Sequence, residues 1–169
     1  MDKEKVIALG ESASKGSDES FVLLCEEMKQ PLYRAAMGIL GRESLALDAV
    51  SEAVCRAYKA IHKLKEPRFT ATWFTRILLN CAKDIYRKEK YLSHAEYIPD
   101  KGYTDDYSFM EFESLISSLP MDLKQVVSLK YFSCLSLTEI SEILKIPPGT
   151  AKSKLNRALK ILRLEVEEN

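Results

Sequence analysis

Apolar residues recur at spacings of three and four along almost the whole chain, and no run alternates convincingly with a period of two, so the pattern predicts helices throughout. The sharpest signal lies near the C-terminus. Ser136 and Glu139 stand in the S-x-x-E relation of a capping box, in which a hydroxyl and a carboxylate satisfy first-turn amides that have no partner within the helix. A helix carrying Leu137, Ile140, Ile143 and Leu144 should start there. Lys145-Ile146-Pro147-Pro148 should end it, because proline disfavours α geometry in the residue before it. A second helix can begin on Pro148, whose missing N–H costs nothing in a first turn, with Ala151, Leu155, Ala158, Leu159 and Leu162 on its apolar side. Two helices abutting across a turn of a few residues form a helix-turn-helix.

Upstream, residues 1–16 read as a frayed or weakly helical leader. Ser17 caps a helix with Asp18 and Glu19 in its first turn and Phe21, Leu24, Cys25 and Met28 on one side. Pro31 should interrupt or kink that helix, and Leu32, Ala35, Ala36, Ile39 and Leu40 continue its pattern to Gly41, a left-handed cap. Ser44 precedes a long helix with Leu45, Ala49, Val50, Ala53, Val54, Ala57, Tyr58 and Ile61 inward. Residues 62–72 read as a loop, followed by a helix with Trp73, Phe74, Ile77, Leu78, Cys81, Ala82, Ile85 and Tyr86 on one stripe. Periodicity is then lost, and Glu96, Asp100, Asp105, Asp106 and Glu111 face only Lys101, as in a solvated linker. Beyond it, Leu115, Ile116 and Leu119 lead to Pro120 and a helix over 122–132 that should pack beneath the helix-turn-helix. The expected architecture is all-α: a leader (1–16), two small helical domains (17–91 and 113–169), and a flexible acidic linker (92–112) between them.

Charge changes this picture. Twenty-five Lys and Arg balance 25 Asp and Glu in 169 residues, which excludes a globally basic nucleic-acid binder and leaves only local segregation of charge. That segregation is present. No acid occurs from Lys145 to Arg163, and Lys152, Ser153, Lys154, Asn156, Arg157, Lys160 and Arg163 lie between the apolar positions. The amides around Gly149 and Thr150, at the positive end of the helix dipole, suit a phosphate. Arg76, Asn80, Lys83, Arg87 and Lys90 step by four and three around a second cationic face. Either face could simply be solvated, but two of them in a neutral chain point to DNA. Asp48 and Glu52, four apart with Ser51 between them, form an acidic edge that either solvates its helix or docks on basic residues of a protein partner.

Cys25, Cys55, Cys81 and Cys134 include no C-x-x-C pair and lie far in sequence from His62 and His94, so buried free thiols are expected, and no metal or other cofactor. No nucleophile–base set suggests an enzyme. No apolar run approaches the roughly 18 residues of a membrane span. Val6 to Leu9 are too few for a signal-peptide core, so a cytoplasmic protein without membrane insertion is expected.

The ordered blocks LYRAAMGILG, LDAVSEAVCRAYKA, TWFTRILLNCAKDIYRK and SLP, then VVSLKYFSCLSLTEISEILKIPPGTAKSKLNRALKILR, resemble the extracytoplasmic-function sigma factors of bacterial RNA polymerase. The resemblance implies two helical domains, one on the polymerase clamp helices and the −10 element, the other at the flap and the −35 element. It assigns core-polymerase binding to Asp48, Ser51 and Glu52, although the family usually has Gln where Ser51 stands. It assigns −10 contacts to Arg68, Thr72, Trp73, Arg76, Asn80, Lys83 and Arg87, with residues 65–72 capturing a flipped base. It assigns −35 contacts to Lys152, Ser153, Asn156 and Arg157 in the major groove, and to Gly149, Thr150 and Lys154 on phosphates. It also implies a linker in the nascent-RNA path and an anti-sigma partner. On the residues alone, a helix-turn-helix regulator with an N-terminal helical sensor or dimerisation domain is the alternative.

Overall fold

The computed structural model describes residues 2–92, 116 and 119–168, and all regular structure among them is helical. The expected linker lies outside the described residues, apart from Leu92. Helix α1 spans Lys3–Ser14, α2 Asp18–Leu40, α3 Glu43–Ala60 and α4 Thr70–Leu92; α5 spans Met121–Val127, α6 Leu137–Leu144 and α7 Pro148–Glu168.

The leader is a formed helix, not a frayed one. Asp2 accepts from the amides of Glu4 and Lys5, and Val6, Gly10 and Ala13 are buried on one face. Gly10 is placed so that a Cβ there would lie 2.1 Å from Thr70 Oγ1, so the absent side chain sets how closely α1 approaches the start of α4. Ser17 caps α2 as expected, and Gly41 closes it at φ 69°. Pro31 does not break the helix, which runs through it to Leu40.

The core face of α3 is built from small side chains: Ala46, Ala49, Ala53 and Ala57 have no exposed surface. Such a stripe lets flanking helices approach closely, and α3 packs against both α2 and α4. Phe21, Leu24, Met28, Leu32, Phe74 and Leu78 fill the space beside it.

Three apolar positions differ from their periodicity. Tyr58 is 51% exposed and Leu159 37% exposed, because the buried stripes of α3 and α7 are narrower than the sequence pattern. Tyr58 instead lays its ring edge on Phe21, with centroids 5.2 Å apart, and donates a 2.9 Å hydrogen bond to Asp18. Cys55, expected inside, is exposed; Cys134 is also exposed, Cys25 is half-buried and only Cys81 is buried, all four as free thiols.

The C-terminal half follows the capping logic closely. Ser136 Oγ accepts from the Glu139 amide while the Glu139 carboxylate takes the Ser136 amide at 2.9 Å, and Lys145 ends α6 in the left-handed region at φ 55°. The expected helix over 122–132 is instead α5 followed by a wide π turn, Ser128–Phe132, in which the Ser133 amide reaches back to Ser128 O. That turn rests on α2. A Cβ on Gly38 would sit 2.8 Å from Ser128 Oγ and 2.9 Å from the Phe132 ring, so the two halves meet at a bare backbone.

Lys124, only 3% exposed, places its ammonium 4.9 Å from the centre of the Tyr86 ring across the same junction. Burial pushes its pKa down from 10.5 to about 8. Between those two values the unfolded chain holds a proton that the folded chain has released, so this group makes stability rise with pH from about 8 to 10.5. In thermal melts across that range, Lys124→Met is expected to flatten the rise; an unchanged slope would assign it to another group.

Candidate promoter and polymerase interface

Three surfaces carry the candidate residues. The acidic edge lies on α3, where Asp48, Ser51 and Glu52 are all exposed. Glu52 receives Arg56 Nε at 2.7 Å, and Arg56 Nη1 reaches Asp84 of α4 at 3.3 Å. Arg56 thereby ties the edge to the neighbouring helix, a link that the spacing of α3 alone could not reveal. Asp48 has no ion pair among the described residues, and its carboxylate faces solvent.

The second surface is the start and outer face of α4. Residues 62–72 are not one loop: turns of 3₁₀ helix at Ile61–Lys63 and Pro67–Phe69 precede α4, which already contains Thr72 and Trp73. Arg68 is exposed, pairs with Glu66 at 2.9 Å and stacks its guanidinium over Phe69 at 4.8 Å. Thr72 and Trp73 are half-buried, the indole 6.1 Å from Phe74. Asn80, Lys83 and Arg87 form an exposed row. Arg76 stands apart from them. Its Nε donates to the Ile143 carbonyl at 2.9 Å and its Nη2 donates to the Glu142 carbonyl, so it caps the C-terminal end of α6. A cation there meets the negative end of the helix dipole.

The third surface is α7. Ala151, Leu155, Ala158 and Leu162 are buried, while Gly149, Lys152, Ser153, Asn156 and Arg157 are exposed on its outer side. Thr150 is half-buried, and its carbonyl accepts from Ser153 Oγ at 3.0 Å. Lys154 is turned away from the row and pairs with Asp122 of α5. Helix α1 reaches this half too. Lys3 Nζ lies 2.5 Å from Glu139, and that hydrogen bond, helped by those from Ser136, holds the Glu139 carboxyl down at about 2. Sequence periodicity carries no signal for the Lys3–Glu139 or Arg76–α6 contacts, which join residues far apart in the chain.

A helical N-terminal unit with one acidic and one cationic face, joined to a helix-turn-helix whose second helix exposes a polar and basic side, has the layout of a DNA-binding protein. Known proteins resolve the class further. The sigma-70 region 2 family matches residues 24–91 and the sigma-70 region 4 family matches residues 109–162. RNA polymerase sigma factor SigV of Bacillus subtilis is 30% identical over 90% of this chain and 95% of its own. ECF RNA polymerase sigma factor SigW of the same organism is 32% identical over 91% of this chain and 92% of its own. The chain belongs to the extracytoplasmic-function group of RNA polymerase sigma factors, the subunits that bind core polymerase and direct initiation at promoters.

Solved structures share the fold. CnrH, in complex with the cytosolic domain of CnrY, superposes with a TM-score of 0.79 at 20% identity, covering 98% of this chain and 99% of that one. The sigma factor RpoE, in complex with the anti-sigma factor NepR from Bartonella quintana, gives a TM-score of 0.69 at 20% identity, covering 84% of this chain. Among the described residues, no helix is long and apolar enough to cross a membrane.

Proposed function

We propose that this sigma factor divides promoter recognition between its two halves, 17–91 and 113–169, and docks on core polymerase through Asp48, Ser51 and Glu52. The observation that carries the reading is the sidedness of α7. Its apolar residues are buried, and Lys152, Ser153, Asn156 and Arg157 remain exposed, the arrangement a helix needs to enter a major groove. Asn80, Lys83 and Arg87 supply a second exposed row for the −10 strand, with Arg68, Thr72 and Trp73 at its upstream end. Gly149 and Thr150 suit phosphate contacts. Arg76 and Lys154 would join only after leaving the α6 carbonyls and Asp122, respectively.

In this reading the protein acts in the cytoplasm, performs no catalysis itself, and is restrained by an anti-sigma partner. RpoE supports that restraint, since it shares this fold in a complex with the anti-sigma factor NepR.

Run-off transcription with purified core polymerase tests the assignment. Promoter-dependent transcripts are expected; their absence, together with tight duplex binding by the protein alone, would favour a conventional helix-turn-helix regulator. Arg157→Ala should weaken −35 recognition by roughly 1–3 kcal/mol if it reads a base, or lower the salt slope by about one if it holds a phosphate. Binding isotherms at several salt concentrations separate the two cases, and the absence of both effects would remove Arg157 from the interface.

A further inference from the structure

Helix α6, the first helix of the helix-turn-helix, is held at both ends by the N-terminal half. At its start, Lys3 Nζ of α1 lies 2.5 Å from the carboxylate of Glu139, the same group that closes the capping box on Ser136. At its end, Arg76 of α4 donates to the Ile143 carbonyl at 2.9 Å and to the Glu142 carbonyl. We propose that the leader helix α1 is a latch: through Lys3 it fixes α6 against the start of α4 and so keeps Arg76 on the α6 carbonyls.

The latch is firmly mounted. Val6, Gly10 and Ala13 are buried, Gly10 lies directly against Thr70, and Lys5 pairs with Glu27 of α2, so Lys3 projects from a helix that is itself seated on its neighbours. Helix α1 also lies outside both matched family regions, 24–91 and 109–162. Between the two grips the halves do not close. A cavity of about 260 Å³ remains there, lined by Val6 of α1, Met28 of α2, Phe69 and Thr72 around the start of α4, and Ile143 of α6. Atoms facing a gap forfeit dispersion contacts, which leaves the polar grips a larger share of the hold on α6. Two grips also act together. With Lys3 in place, the α6 carbonyls stay close to the Arg76 guanidinium, and each release is followed by recapture at high effective concentration.

Arg76 steps with Asn80, Lys83 and Arg87 along α4 but cannot serve that row while the carbonyls hold it. The further consequence, that the latch opposes capture of the −10 strand, rests on the promoter assignment; the latch itself does not.

Modification of the full chain with phenylglyoxal, quantified for each arginine by peptide mass spectrometry, tests the latch without DNA or polymerase. Lys3→Ala is expected to raise the Arg76 rate roughly threefold, within the range by which an exposed ion pair shifts an equilibrium. Arg157, exposed with or without the latch, should keep its rate. Glu139→Gln retains an oxygen that can accept from the Ser136 amide; it should give the same increase, and the double variant no more than either alone. Because Lys3 is exposed, added salt should raise the Arg76 rate more in the unmodified chain than in Lys3→Ala. An unchanged Arg76 rate in both single variants would overturn the proposal. Binding of an oligothymidylate strand separates it from the promoter assignment. Removing a cation ordinarily weakens binding to a polyanion, whereas Lys3→Ala is expected to bind the strand more tightly. A raised Arg76 rate with no gain in strand affinity would uphold the latch and remove Arg76 from the −10 contacts.

Discussion

Replacing Asp48 and Glu52 together by lysine is expected to abolish co-purification with core RNA polymerase while leaving the helical fold in place. The two carboxylates leave the same side of α3, opposite the alanine stripe that packs the helix into the core, so reversing them touches no buried contact. Among the described residues, the only ion pair lost is Glu52–Arg56, about half exposed at both ends. Exposed pairs of this kind contribute roughly 0.2–1 kcal/mol, a small part of a domain's stability. At a docked interface the balance differs, because placing two cations against basic residues exchanges attraction for repulsion in a partly desolvated setting. Circular dichroism and pull-down of core polymerase, measured on the same preparation, decide the matter. An unchanged yield of polymerase with the reversed pair would refute the docking role of this edge.

Gly38→Leu is expected to part the two halves. The first atom of any side chain at this position would already fall 2.8 Å from Ser128 Oγ and 2.9 Å from the Phe132 ring, and the remaining three carbons of leucine have no space toward the π turn. Even single-methylene overpacking of a closed interior costs about 1–3 kcal/mol. Within α2 itself the exchange is favourable, since leucine is the better helix former by roughly 0.8 kcal/mol. Lost stability would therefore report on the junction and not on the helix. The radius of gyration from solution scattering should rise above the roughly 15 Å of a compact chain of this length. Parting would also withdraw the α6 carbonyls from Arg76. A single-stranded −10 oligonucleotide should then bind more tightly to the variant than to the unmodified chain. An unchanged radius, with unchanged melting, would show that Ser128 and Phe132 yield to the new side chain.

Local features were legible in residue order. Capping of α6 by Ser136 and Glu139 depends on a spacing of three, and the left-handed closure at Gly41 on a residue without a Cβ; both are visible in a one-dimensional string. Family resemblance then pointed to the three candidate surfaces. Apolar residues at the margins of a stripe were less legible. Tyr58, Leu159 and Cys55 fit helical spacing as well as their buried neighbours do, and only the width of the facing groove excludes them. The leader helix is hidden for the opposite reason: Gly10 and Ala13 look indifferent in sequence, yet their small size is what lets α1 lie close to its neighbours.

By itself, then, the sequence determined the helices, their caps, the helix-turn-helix and the segregation of charge into an acidic edge and two cationic faces, because each follows from spacings of three and four within one element. The tertiary structure alone decided which of those charges are available. Arg76 belongs to a cationic row by spacing but is held by two carbonyls more than sixty residues away, and Lys154 belongs to the recognition helix but is held by Asp122. Pairings of this range depend on how two halves settle against each other. No periodicity within either half encodes that contact, and the cavity between the two halves arises from it in the same way.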